Sequence, residues 1–130
     1  MSQENVEIVQ AGFEAFNAGE RDFAMYHPTL VYHPRADEPD SSSHIGREAF
    51  ERLALGFWQS FRDVSFEVLE LIDADDLVIA STAMRGCGSV SGADVTDTYV
   101  FVYQLRGGLV VEAWEYRTRQ EALKAVGLEE

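Results

Sequence analysis

Thr96-Asp-Thr-Tyr-Val-Phe-Val-Tyr-Gln-Leu105, Arg106-Gly-Gly108 and Leu109-Val-Val-Glu-Ala-Trp-Glu-Tyr-Arg117 together decide the fold. Two runs rich in β-branched and aromatic residues flank a turn with two glycines, which is the pattern of a β-hairpin. Large apolar residues occur at both parities, as expected when both faces of a sheet are covered. Working backwards, Leu77 to Arg85 reads as a strand, followed by the glycine- and serine-rich Gly86 to Ala93. Before it, Phe66, Val68, Glu70 and Ile72 alternate with Glu67, Leu69 and Leu71 from Val64 onward, and Asp73-Ala-Asp-Asp76 turns the chain. The period here is 2, so this half is an antiparallel meander.

The N-terminal half has the other period. Val6, Val9, Phe13 and Phe16 fall at spacings of three and four, which places them on one helical stripe. Ser2 stands where an N-cap belongs, and Gly19 where a left-handed stop does. A short helical turn is expected over Glu20 to Tyr26, then a short strand from Leu30 to His33. Gly46 opens a second helix, in which Phe50, Leu53, Ala54, Phe57 and Phe61 recur through about Arg62. Between them, Pro34 to His44 is a loop, and loops of this length in compact domains are often functional. At the far end Thr118-Arg-Gln-Glu121 is a capping box opening a short helix that Gly127 stops. Helices first, strands next and a short terminal helix mean α+β: helices packed on one face of a bent antiparallel sheet.

Composition narrows the function. The chain has 130 residues, 46% hydrophobic and 25% charged, which fits one globular domain with a real core. A net charge of −13, with ten Lys and Arg scattered singly, argues against nucleic acid. No apolar run is long enough to span a bilayer, and the opening Met-Ser-Gln-Glu is no targeting signal. One cysteine, Cys87, allows no internal disulfide, so the expected setting is cytoplasmic. His27, His33 and His44 lack metal-ligand spacing, and Gly86-Cys-Gly88 opens no helix, so neither a metal nor a phosphate-binding cofactor is expected.

Several stretches carry a resemblance: Phe13-Glu-Ala-Phe-Asn-Ala-Gly-Glu20, Leu30-Val-Tyr-His-Pro34, Gly46-Arg-Glu-Ala-Phe50, Arg106-Gly-Gly108 and Ala113-Trp-Glu-Tyr116. With the closing Arg119 to Leu128, the chain resembles the SnoaL-like and ketosteroid-isomerase-like members of the nuclear transport factor two superfamily. The resemblance implies a cone-shaped domain with an apolar pocket and a homodimer joined through the outer sheet face. The functions it implies range from isomerisation, polyketide cyclisation, dehydration and epoxide hydrolysis to binding without chemistry.

Residue by residue, the isomerase base falls on His33, which is a competent base by its ordinary titration range. The isomerase oxyanion positions fall on Gly12 and near Phe101, neither of which donates, so the steroid-isomerase reaction is not expected. The cyclase acid falls on Glu115. Strand alternation sets Glu115 against Trp114 and Tyr116, and the reading favours Trp114 and Tyr116 as the pair facing the pocket. His33 is therefore the expected principal base, or a plain loop cap, with Tyr32, Glu115 or Tyr99 assisting. The expected pocket wall comprises Phe13, Phe57, Trp58 and Phe61 from the helices and their ends, with Tyr32, Met84, Phe101 and Tyr103 from the strands. Arg85 and Asp97 pair with each other, meet a ligand, or face solvent. Two functions stay open: proton-transfer chemistry on a small apolar metabolite, or a binding or dimerising module without chemistry.

Overall fold

The computed structural model describes residues 2–20, 22–38 and 41–128. The chain runs α1 (Ser2–Asn17), β1 (Tyr26–His33), β2 (His44–Ile45), α2 (Arg47–Gln59), β3 (Phe61–Ala74), β4 (Leu77–Gly88), β5 (Asp94–Arg106), β6 (Leu109–Tyr116) and α3 (Arg119–Ala125). The six strands form one curved, unclosed sheet in the order β2-β1-β6-β5-β4-β3. β3 to β6 are the expected antiparallel meander. β1 runs parallel to β6, so the sheet as a whole is mixed, and the two-residue β2 pairs with β1 at its edge. The architecture is α+β.

The stretch before β1 differs from the helical turn expected there. Asp22 accepts the amide of Ala24 at 3.1 Å, and the Phe23 carbonyl accepts that of Tyr26 at 3.1 Å. Local bonds of this kind compete with a helix, and the edge of β6 offers Tyr26 a partner instead. α2 ends at Gln59, three residues short of the expected Arg62, and β3 starts at Phe61. The capping of α1 by Ser2 concerns a side chain outside the described residues.

Two apolar interiors lie on opposite faces of the sheet. The inner one joins α1 and α2 to the sheet through Val9, Phe13, Phe50 and Ala54 against Phe66, Phe101 and Tyr103. Asn17 fastens α1 to β3 by giving a hydrogen bond to the Phe66 carbonyl at 2.8 Å and accepting the Phe66 amide at 2.9 Å. The outer one is smaller: Ala122 and Leu123 of α3 close over Ile79, Val100 and Val102. α3 opens as the capping box requires, with Thr118 accepting the amide of Glu121 at 3.1 Å. The Glu121 carboxylate reaches one residue further back than that motif expects, to the Arg117 amide at 3.2 Å.

One irregularity in the sheet matters most for function. Between β5 and β6 the register steps from Leu105↔Val110 to Gln104↔Glu112, leaving Val111 as an extra residue. Such a β-bulge reverses which parity faces which side. Val110 points inward before it, and Ala113 does so after it; both are fully buried. No helix among the described residues is long and apolar enough to cross a membrane.

Candidate active site

Between α1, α2 and the concave sheet lies a cavity of about 590 Å³. Its apolar lining includes Phe13 and Phe16 of α1, Phe57 and Trp58 of α2, and Phe66 and Phe101 of the sheet. Phe16 and Phe23 both pack on Trp58, with ring centroids 5.0 and 5.7 Å away. The polar lining includes Tyr26, Tyr32, Tyr99, Tyr103, Glu38 and Glu115, with Glu20, Asp22 and Arg52.

Glu115 is the group that the bulge delivers to this cavity. It sits across from Phe101 in the β5–β6 register, on the inner face. Its side chain lines the cavity and is partly buried by the surrounding protein. Burial raises its pKa from the ordinary 4.5 to about 7, while the Tyr32 hydroxyl and the Arg35 amide, which both donate to it, pull the other way. The Arg35 amide lies 3.2 Å from Oε1, and the Tyr32 hydroxyl meets Oε2. Tyr32 is itself held by stacking on Phe50 at 4.3 Å.

The other tyrosines keep their protons. Burial raises the pKa of Tyr26, Tyr32 and Tyr103 well above the usual phenol range, with the Glu115 charge adding to it. Tyr26 and Tyr103 both line the cavity, close enough for each hydroxyl to act on the other. Tyr99 donates to Glu38 Oε1 at 2.7 Å, and burial with that carboxylate raises its pKa too.

Glu38 reaches the cavity because Arg35 staples its loop to the sheet. The Arg35 guanidinium is buried, lies 4.3 Å over the Tyr99 ring, and donates to the Thr98 carbonyl at 2.8 Å. It also pairs with Asp37 at 2.9 Å and Asp97 at 3.1 Å. Asp97 therefore serves Arg35, while Arg85 pairs with Glu67 at 3.1 Å; of the alternatives open for Arg85 and Asp97, exposure to solvent holds for both and pairing with each other does not.

Of the residues expected from sequence, the structure brings Phe13, Tyr32, Phe57, Trp58, Tyr99, Phe101, Tyr103 and Glu115 to the cavity. Others lie elsewhere. His33 follows the inward Tyr32 on the same strand, so alternation turns it to the outer face. There it stacks on Trp114 at 5.4 Å, with Nε2 hydrogen-bonded to Glu112 Oε2 at 2.7 Å and Nδ1 to Ser43 Oγ at 2.7 Å. Its side chain is 28% exposed. Trp114 and Tyr116 are corrected likewise: they pack beside Val100, Val102 and α3 on the outer face, because the Val111 bulge inverts the parity. Met84 is core below the lining, and Phe61 packs on Phe57 at 5.0 Å outside it.

The contributors that sequence reasoning missed include Glu38, Tyr26 and Phe50. Phe50 was visible as part of the helical stripe; Tyr26 lay in the segment assigned to a helical turn, and Glu38 in a loop without a pattern. At the isomerase tyrosine position, a side chain on Gly12 would bring its Cβ to 2.5 Å from Met25 Sδ, so Met25 occupies that space. Among the described residues no group of three or more His, Cys, Asp or Glu is arranged to hold a metal ion.

The SnoaL-like domain model matches residues 9–113. The chain belongs to the SnoaL-like family. Solved structures agree on the fold. An NTF2-like protein of unknown function from Burkholderia pseudomallei has a TM-score of 0.76 at 16% identity, covering 93% of this chain and 95% of that one. AclR, a candidate hydroxylase from Streptomyces galilaeus, has a TM-score of 0.76 at 17% identity, covering 98% and 97%. A candidate polyketide cyclase from Xanthomonas campestris has a TM-score of 0.75 at 20% identity, covering 95% and 97%. At these identities the likeness is one of fold. No curated protein matches the chain.

Proposed function

We propose that this SnoaL-like protein binds a small apolar carbonyl compound in its cavity and moves a proton on it with Glu115. One observation carries the reading: a cavity-facing carboxyl whose burial lifts its pKa to about 7. A group titrating near working pH is a good acid in one form and a good base in the other. As carboxylate, Glu115 takes a proton from the carbon beside the carbonyl. The C–H electron pair moves into the new C=C bond, and charge builds on the carbonyl oxygen. The Tyr26 hydroxyl, which lines the cavity and keeps its proton, is suited to meet that oxygen. Return of the proton to the same or another carbon completes an exchange or an isomerisation, and attack of the enolate on a second carbonyl gives a cyclisation.

A binding module without chemistry is the second reading, favoured by the blank family oxyanion positions Gly12 and Phe101. Exchange at the α-carbon of 4-phenylbutan-2-one in D₂O, followed by NMR, separates the two. Wild type is expected to catalyse exchange, and Glu115→Gln to lose on the order of 10²–10⁴-fold in rate. Saturable binding without exchange, or exchange untouched by E115Q, selects the binding module. The homodimer through the outer sheet face, around Trp114 and beside α3, belongs to the same proposal; sedimentation equilibrium tests it.

A further inference from the structure

Polar atoms in the cavity are strung along β5 in an order. Tyr99, Phe101 and Tyr103 present three nearly parallel rings, with centroids 6.0 and 5.6 Å apart and interplanar angles of 14° and 10°. Together they make a continuous aromatic wall suited to a ligand's ring. At one end of it Tyr103 meets Tyr26. Glu115 stands opposite Phe101 in the middle. At the other end Tyr99 donates to Glu38. A strand rises ~3.3 Å per residue, so the Tyr103 and Tyr99 ends are about 13 Å apart along the backbone.

Glu38 is only half used by the protein. Its Oε1 accepts from Tyr99 and lies 3.8 Å from Arg35 Nε, and among the described residues no hydrogen bond reaches Oε2. A charged carboxylate accepts hydrogen bonds and offers none, so whatever meets it inside the cavity must be a donor. The lining as a whole says what that donor is attached to. Among the described residues, the lining has four carboxyl groups, Glu20, Asp22, Glu38 and Glu115, and one cation, Arg52, whose Nη1 lies 3.9 Å from Glu48. An acidic ligand would enter against this charge.

We propose that Glu38 determines specificity by accepting a hydroxyl carried on the ligand's ring, at the end away from its enolisable carbonyl. The ligand class is then a neutral hydroxyketone with a flat apolar body, lying along β5 with its reactive carbon at Glu115. The proposal rests on the Glu115 reading above and is separable from it. If Glu38 merely props its loop through Tyr99, changing it weakens all ligands alike.

The test is isothermal titration calorimetry of the full chain with matched compounds. These are 4-(4-hydroxyphenyl)butan-2-one, its deoxy analogue 4-phenylbutan-2-one, and 3-(4-hydroxyphenyl)propanoic acid. Wild type is expected to bind the hydroxyketone roughly 10- to 100-fold more tightly than the deoxy ketone, and the acid more weakly than either. Glu38→Leu should bring the ratio of the two ketones towards one. Glu38→Gln, which keeps an acceptor without its charge, should leave an intermediate ratio, and it covers the case in which the leucine variant fails to fold. A wild-type ratio near one, a ratio unmoved by the variants, or tighter binding of the acid overturns the proposal while leaving the Glu115 reading standing. Binding of neither ketone overturns both.

Discussion

Along β5, odd-numbered residues from Tyr99 and even-numbered residues from Val100 face two interiors that are built differently. On the even side Val100 and Val102 meet Ile79, and a seven-residue helix, α3, closes over them with Ala122 and Leu123. Branched and small aliphatic groups interdigitate closely, and this side is filled. On the odd side Tyr99, Phe101 and Tyr103 meet the rings of Phe13, Phe57 and Phe66 at centroid distances of 5.7 to 6.3 Å. Flat rings held edge-on or tilted keep the helices off the sheet, and about 590 Å³ remains. The same strand thus supplies a conventional core on one side and a binding chamber on the other. β6 repeats the lesson with charge. Glu112 turns outward to His33, whereas Glu115, three residues on, turns into the chamber.

The sharpest difference to probe is that in protonation. The pKa of Glu115 is raised on folding from 4.5 to about 7. A raised carboxyl favours the fold below its unfolded pKa, and that contribution is lost as pH rises through the folded one. Relative to Glu115→Gln, the wild type should therefore lose on the order of 2–3 kcal/mol of stability between pH 4.5 and pH 8. Urea unfolding of the two proteins at both pH values measures it, and a constant difference would mean that Glu115 is not desolvated.

Packing gives a smaller contrast. Ala122 on the filled side is fully buried, and Ala54 on the cavity side nearly so. Ala122→Leu should cost about 1–3 kcal/mol through overpacking. Ala54→Leu should cost less than about 1 kcal/mol, because its side chain enters the cavity, and it should weaken the binding of 4-phenylbutan-2-one. Equal costs would mean that the two interiors are equally full.

Periodicity made most of this architecture legible. The switch from spacings of three and four to alternation, the Gly107-Gly108 turn and the Thr118 cap located α1, α2, the meander and α3 before any coordinates. The site was half legible. Tyr99, Phe101 and Tyr103 share a parity that the sequence displays. Tyr32 and His33 are neighbours on one strand, so only one of them could face the cavity, and the hydrophobic pattern of so short a strand did not say which. For Glu115 the obstacle was Val111. Nothing in Leu109-Val-Val-Glu-Ala marks an extra residue, and a bulge there inverts every later side chain of β6. Glu38 had no signal beyond lying in a long loop, since its position depends on Arg35 gripping Asp97 and Tyr99 across the fold.

All of this turns on where the Glu115 carboxyl sits and what surrounds it. A pH titration of its side-chain carbon by ¹³C NMR, assigned by difference with Glu115→Gln, reads that environment directly. A midpoint of about 7 that moves when 4-phenylbutan-2-one is added is the expected result. A midpoint at the ordinary carboxylate value, indifferent to the ketone, would put Glu115 in water and contradict the account.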